Sequence, residues 1–223
     1  TGINKNISDL LWYEKENKMN GLVLERYPFK QSLKLLKRLS PKVNRISIMT
    51  SANTSSKIIT NQVLTKFKAH INSFEGIKLE NVLISNNWKE WKSFLNKEQK
   101  EGHSLWILVP WDIYNNGAEV TIKEISNHFR NTSKIPSIGI VGVNKLLGFL
   151  SSLSVHAEDL GYQAASLLID ILLKEKNIKH TQTISRSHFF INKKRAEQLQ
   201  IIIPMDLLEL ATIDRNKTFT TVR

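Results

Sequence analysis

Thr50, Ser51, Asn53, Thr54 and Ser56 fall in one short stretch between an apolar run and the start of a helical pattern. Small hydroxyl and amide side chains beside the free N–H groups of a helix start can hold a carboxylate or another anion, with about 0.3–1 kcal/mol added by the helix dipole. The same residues serve equally well as ordinary N-caps. A second group, Trp111, Asp112 and Tyr114, follows the apolar run Leu105 to Val109. An aromatic side chain flanking a carboxylate suits stacking on a ring or pairing with an amine. The alternative is a loop that folds its own aromatics onto the domain. Asn144, in the turn Gly142 to Lys145, and Asn4, near the start, complete the ligand-binding candidates, with Glu25 weaker. Glycine flexibility alone accounts for such a turn.

No catalytic constellation accompanies these residues. His156, Glu158 and Asp159 gather together, but acids at that point are what a helix N-terminus favours. His70, His103, His128, His180 and His188 show no pairwise ligand spacing. There is no nucleophile elbow and no pair of spaced carboxylates. Cysteine is absent, which removes disulfides, thiolate metal sites and a Cys nucleophile. A binding protein is expected rather than an enzyme, with no cofactor and no metal.

The candidate residues need elements to position them. Gly21 to Glu25 reads as a short extended run closed by Pro28, and Phe29, Leu33, Leu36 and Leu39 recur at helical spacing until Pro41. Strands are expected over Arg45–Thr50, Ile77–Ser85, Leu105–Val109 and Pro136–Val141. Between them lie three helices: one carrying Val63, Phe67, Ile71 and Phe74 on one face, one over Asn87–Lys97 with Trp88, Trp91 and Leu95 aligned, and one over Glu119–Arg130. Asn87 and Glu90 have capping-box spacing. Short, continuously apolar strands alternating with helices argue for a parallel sheet covered on both faces, hence an α/β, doubly wound lobe. Ligands in such lobes sit beyond the carboxyl ends of the strands. The loops at residues 50–56, 85–87, 110–117 and 142–145 are therefore the ones to watch. Phe149 to Val155 reads as a crossing segment, and a helix from Asp159 carries Leu160, Ala164, Leu167, Leu168, Ile171 and Leu172 as one apolar face. A further strand over Thr183–Ile191 and short helices over Lys193–Leu199 and Pro204–Ala211 precede a polar, frayed tail.

The chain has 223 residues, 41% of them hydrophobic and 23% charged, as in a soluble globular protein. No run approaches the roughly 18–20 apolar residues of a membrane span. The formal charge of +12 admits a polyanionic partner. The lysines are spread over almost every segment, however, and neither a zinc-finger spacing nor a Gly-rich phosphate loop accompanies them. Solvated surface is the favoured reading and nucleic-acid binding an outside alternative.

Taken in order, several short marks resemble the ABC transporter substrate-binding-like family of the type I periplasmic-binding-protein fold. They are Pro41-Lys-Val-Asn-Arg-Ile before a strand, Lys134-Ile-Pro-Ser-Ile-Gly-Ile, Gly148 and Val155 upstream of Asp159-Leu-Gly, Ile191-Asn192 before a short helix, and Ile203-Pro204. The resemblance covers nearly everything from Gly21 onward. It implies two α/β lobes closing on a small polar, amino-acid-like metabolite in the cleft between them, with a membrane permease as partner and an extracytoplasmic, periplasmic location in a bacterium. It places residues 1–40 and 156–191 in the first lobe, 41–155 in the second, and 192–223 as a tail packing on the second. Family members carry further elements before the segment that Thr1-Gly-Ile-Asn resembles, so an incomplete first lobe or a fragment is expected; no signal peptide is recognisable. Pro110-Trp111-Asp112-Ile113-Tyr114 resembles a branch fused to signalling proteins, which makes a ligand-sensing module with a membrane signalling partner the alternative.

Overall fold

The computed structural model describes residues 21–70, 73–140, 147–173, 181–184, 186–210 and 212–213. These form two compact units, one of residues 1–27 and 155–187 and the other of residues 28–154 and 188–223. Asn4, Asn144, Ile71, the 142–145 turn and the tail beyond Ile213 fall outside the described residues, whereas Thr212 and Ile213, expected at the start of a frayed tail, pair in parallel with Phe190 and Ile191.

The larger unit begins with α1 (Phe29–Leu39), whose Phe29, Leu33, Leu36 and Leu39 are buried as their spacing predicts. Next come β2 (Arg45–Thr50), α2 (Thr54–Ala69), β3 (Ser73–Phe74), β4 (Ile77–Ile84), α3 (Trp88–Glu101) and β5 (Ser104–Ile107), while β1 (Leu22–Leu24) belongs to the smaller unit. A small hairpin, β6 (Tyr114–Asn115) and β7 (Ala118–Glu119), leads to α4 (Ile122–Thr132), β8 (Ser137–Gly139) and β9 (Ser151–Ser154). Lastly, β11 (His188–Ile191), α6 (Lys193–Gln198), α7 (Met205–Leu210) and β12 (Thr212–Ile213) close the chain's described part. The sheet order is β12-β11-β9-β8-β5-β2-β4-β3. The strands β4, β2, β5, β8 and β9 run parallel; β11 is antiparallel to β9, and β3 to β4.

Both sheet faces are covered, which is why the central strands read as unbroken apolar runs. Ile48, Trp106 and Ile138 are in register on one face. There Trp106 meets Phe29 of α1 and Phe67 of α2 edge-on, at ring-centroid distances of 5.9 and 6.4 Å. The opposite face carries Met49, Leu105 and Ile107 against Trp88, Trp91 and Leu95 of α3 and Ile125 and Phe129 of α4. The α/β, doubly wound class expected from the sequence is what the structure shows.

Three local expectations need correction. Phe74 lies in β3, not on the helix before it, because Glu75 and Gly76 both take positive φ (55° and 71°) and turn the chain into the β3–β4 hairpin. Its ring still packs on Phe67, 6.0 Å away. Asn87 does cap α3, but its Oδ1 accepts from Lys89 N at 2.9 Å and Glu90 takes no part. The capping box belongs instead to Thr121 and Glu124 at the start of α4, a helix that the sequence pattern begins three residues early. One irregularity matters later: Ile46 pairs with Leu79 and Ile48 with Val82, so two residues of β4, Glu80 and Asn81, face Ser47 alone in a β-bulge.

The sequence reading drew lobe boundaries after residue 40 and after Ile191. Contacts group α1 and β11 with the larger unit instead, since α1 packs on β8 and β9 and β11 is hydrogen-bonded along β9.

The smaller unit holds β1 (Leu22–Leu24) paired in parallel with β10 (Thr181–Thr183), and α5 (Ala157–Leu172) laid across them. Val23, Val155, Leu160, Leu167 and Ile184 form its core, with Ala164 and Ile171 at the edge. The apolar face expected on this helix is narrower than predicted. Leu168 and Leu172 are 55% and 70% exposed. At about 100° per residue, positions 160, 164, 167 and 171 form one stripe, and a two-stranded sheet covers only that stripe. Glu158 and Asp159 occupy the first turn, complementing the dipole as expected.

Candidate functional site

Strand β2 is the first of the parallel set in the chain; the next, β4, joins it on one side and β5 on the other. The winding direction reverses there, the position beyond the strands' carboxyl ends at which sheets of this kind hold ligands. The loops after β2 and β5 carry both groups of candidate residues.

The β2 loop is built from the sheet outward. Thr50 is fully buried; its Oγ1 accepts from Val109 N at 3.2 Å and its carbonyl accepts from Ser85 N at 3.0 Å. Ser51 N donates to Val109 O at 2.9 Å. Asn53 caps α2, its Oδ1 accepting from Ser56 N at 2.8 Å and from Ser56 Oγ at 2.7 Å, while the Ser51 and Ser56 hydroxyls lie 2.9 Å apart in a buried pair. Thr54 is exposed in the first helical turn. Ordinary N-capping is thus realised here, and by an amide that also reaches the loop after β5.

That reach joins the two groups: Asn53 Nδ2 donates to Asp112 Oδ2 at 2.7 Å. Asp112 is half-buried and sits in the left-handed backbone region at φ 57°, an arrangement tolerated by Asp but uncommon for a non-glycine residue. Trp111 is likewise half-buried and Ile113 buried. Exposed Tyr114 belongs to the β6–β7 hairpin, whose Asn116 and Gly117 supply the two positive φ angles of a tight turn.

Asn86, in the watched 85–87 loop but not singled out, completes the arrangement. Its Oδ1 accepts from Ala52 N at 2.5 Å, and its carbonyl accepts from Tyr114 N at 2.6 Å. One residue therefore ties the loops after β2, β4 and β5 together. The Asn-Asn pair directly after a strand was its only signal in the sequence. Thr50, Ser51, Asn53, Thr54, Trp111, Asp112 and Tyr114 thus share one end of one sheet. Glu25, in the smaller unit, is a neighbour of Tyr27, whose phenol is held well above its ordinary range by burial and then by the charge and hydrogen bond of Glu25.

Elsewhere, Glu98, Glu101 and His103 bring possible metal-ligand atoms within 4.8 Å of one another. Glu98 is already engaged, however. Its carboxylate accepts from Ser47 Oγ at 2.5 Å, lies 2.7 Å from His103 Nδ1 and accepts from Asn81 Nδ2 at 3.1 Å, so the group is a buried cross-link between α3, β2 and β4.

Residues 12–214 match the family described as ABC transporter substrate binding protein. The chain belongs to that family. Solved structures share the fold of this substrate-binding family member. One is the ABC domain in complex with L-Trp from Streptococcus pneumonia, 24% identical with a TM-score of 0.61, over 86% of this chain and 61% of that one. Another is the ligand-free, open substrate binding protein with adhesive properties from Clostridium difficile, 18% identical with a TM-score of 0.62, over 87% and 63%. A third is a conserved domain protein from Vibrio cholerae, 22% identical with a TM-score of 0.60, over 86% and 61%. This substrate-binding chain therefore spans about three fifths of the length of the structures it matches. No curated protein matches it in sequence. Among its described residues no helix is long and apolar enough to cross a membrane.

Proposed function

We propose that this chain binds a small, polar, amino-acid-like metabolite reversibly, as an extracytoplasmic solute-binding protein that delivers to the permease of an ABC transporter. Family membership supports the class of activity, and a relative that holds L-Trp supports an amino acid as the kind of solute. The observation that carries the reading to particular residues is the Asn53–Asp112 hydrogen bond, which joins the loops after β2 and β5 over the reversal of winding. The larger unit's contact surface is Asn53, Thr54, Trp111, Asp112 and Tyr114, with Thr50, Ser51 and Asn86 as the buried support. The residues act by binding and orienting; none has the partner that a nucleophile or general base requires.

The basic surface does not compete with this reading. Lys30 and Lys34 pair with Glu75, Lys78 with Glu80 and Arg38 with Asp206. Other lysines among the described residues ride on helices from both sides of the sheet, such as Lys57 and Lys66 on α2 and Lys89, Lys97 and Lys123 on α3 and α4. A polyanion needs them on one face.

The test is a thermal-shift screen of amino acids, nucleosides, sugars and small carboxylates. A true solute at about a hundred times its dissociation constant stabilises by roughly 2.7 kcal/mol. If no class of solute raises the melting temperature, solute binding by this chain is refuted.

A further inference from the structure

We propose that the free edge of β4 is where two copies of this chain pair, antiparallel, with Val82 of one opposite Ile84 of the other. Strand β4 is hydrogen-bonded to β2 on one side, while on its other side β3 covers only Ile77 and Lys78. Ser85 N donates to Thr50 O at 3.0 Å, and Asn81 N turns the same way, to Ser47 Oγ at 3.2 Å. Backbone groups alternate in direction along a strand, so after the bulge Asn81, Leu83 and Ser85 face β2. The N–H and C=O groups of Val82 and Ile84 therefore point outward, where no described residue meets them.

Such an edge is a template for another strand, and proteins ordinarily guard it. The half of β4 before the bulge is guarded by β3, by the charges of Lys78 and Glu80 and by the bulge itself. The half after it is not. Val82 and Ile84 are 37% and 42% exposed, and residues 81–88 carry no charge in a chain of formal charge +12. Two copies repel one another over most of their surface but not along this segment.

The occupant follows from the register. Outward groups at positions 82 and 84 match a copy of themselves when the strand is reversed about Leu83. Val82 then exchanges both backbone hydrogen bonds with Ile84 of the second copy, Ile84 does the same with Val82, and no outward group is left over. On one face Val82 lies beside Ile84, and on the other Leu83 lies beside its own counterpart, apolar cross-strand pairs of the kind that stabilise sheets. The contact is isologous and closes at two copies. A foreign strand would have to bring this spacing, whereas a second copy always does.

The test is sedimentation of the 223-residue chain from micromolar to millimolar concentration, with and without Ile84→Lys, which charges the edge and leaves the backbone ladder to β2 in place. A reversible dimer is expected, weakened by about tenfold or more in Ile84→Lys because like charges oppose one another across the pair. The melting temperature of the dilute chain should not change. Cross-linking reads the register, since the chain has no cysteine of its own. Directly opposed residues of a non-hydrogen-bonded pair have Cα atoms about 4.5 Å apart, within disulfide reach, whereas diagonal neighbours stand about 7–8 Å apart. Leu83→Cys should therefore oxidise to a covalent dimer much faster than Val82→Cys. A monomer at every concentration, a dimer indifferent to Ile84→Lys, or cross-linking no faster through Leu83→Cys than through Val82→Cys would each overturn the proposal.

Discussion

His103 Nδ1 lies 2.7 Å from Glu98 Oε2, with both side chains buried. Ser47 and Asn81 share the same carboxylate, so its removal strands three polar partners at once. Glu98→Ala is expected to cost about 3 kcal/mol, at the upper end of the range for leaving buried hydrogen-bonding groups without their partner. Glu98→Gln, which keeps acceptor and shape, should cost distinctly less. Chemical denaturation measures both, and a loss below about 1 kcal/mol for the alanine variant would contradict the cross-link. Zinc or EDTA should leave the melting temperature unchanged.

Gly148 stands at φ 73° just before β9, and a Cβ there would come within 2.6 Å of Arg130 Cγ. Gly148→Ala should therefore lose about 1–2 kcal/mol, part from backbone and part from the clash. Adding Arg130→Ala should recover only the clash. A double-mutant cycle reads the split, and strict additivity would show that Arg130 is not the obstacle.

Arg195 is 3% exposed, and its guanidinium donates to Ser133 O at the end of α4 and to Gln198 Oε1. Burial depresses its pKa, and the negative end of the α4 dipole faces the charge. Arg195→Ala should cost about 2–4 kcal/mol through lost packing and an orphaned carbonyl. Arg195→Met should retain much of the packing and lose less. Equal melting temperatures for the two variants would show that filling the volume does not matter.

His128 lies against Trp88, at 5.2 Å between ring centroids, with Nε2 buried and without a hydrogen bond. Burial, then Lys92, holds its pKa below the ordinary value near 6.5. A histidine kept neutral by the fold binds a proton more readily when unfolded. Stability therefore falls as pH drops below about 6.5 and the unfolded chain takes up that proton. His128→Leu should flatten this slope in melting curves between pH 7 and 5 without loss at pH 7. An unchanged slope would assign the titration elsewhere.

The outer side of α5 separates burial from mere apolar character. Leu167→Ala should lose about 2–4 kcal/mol, whereas Ile169→Lys with Leu172→Lys should stay within about 0.5 kcal/mol per site. Comparable losses in both would place the packed stripe on the wrong side of the helix.

What could be read from the chain beforehand follows how local its causes are. Strand and helix alternation came through because β2 and β5 are buried on both faces and α1 repeats leucine at helical spacing. The site loops were found because their position follows from strand direction alone. The Asn53–Asp112 bond was not, since it joins residues 59 apart in the chain, and the Glu98 cross-link depends on partners 51 and 17 residues away. Phe74 was misplaced for a local reason, a turn at Glu75-Gly76 that interrupts a pattern otherwise suited to a helix. The width of the α5 face depended on how many strands lie beneath it, which no helix encodes in its own sequence.

The bulge at Glu80-Asn81 changes the parity of β4 part-way along. Residues before it and after it alternate out of phase, so an alignment that matches relatives through this strand without a gap will swap one sheet face for the other on one half. Deleting Glu80 would leave a regular strand, but it would displace Asn81, whose backbone N–H donates to Ser47 Oγ and whose side-chain amide donates to Glu98. Relatives without the extra residue should therefore also lack an acid at the position of Glu98.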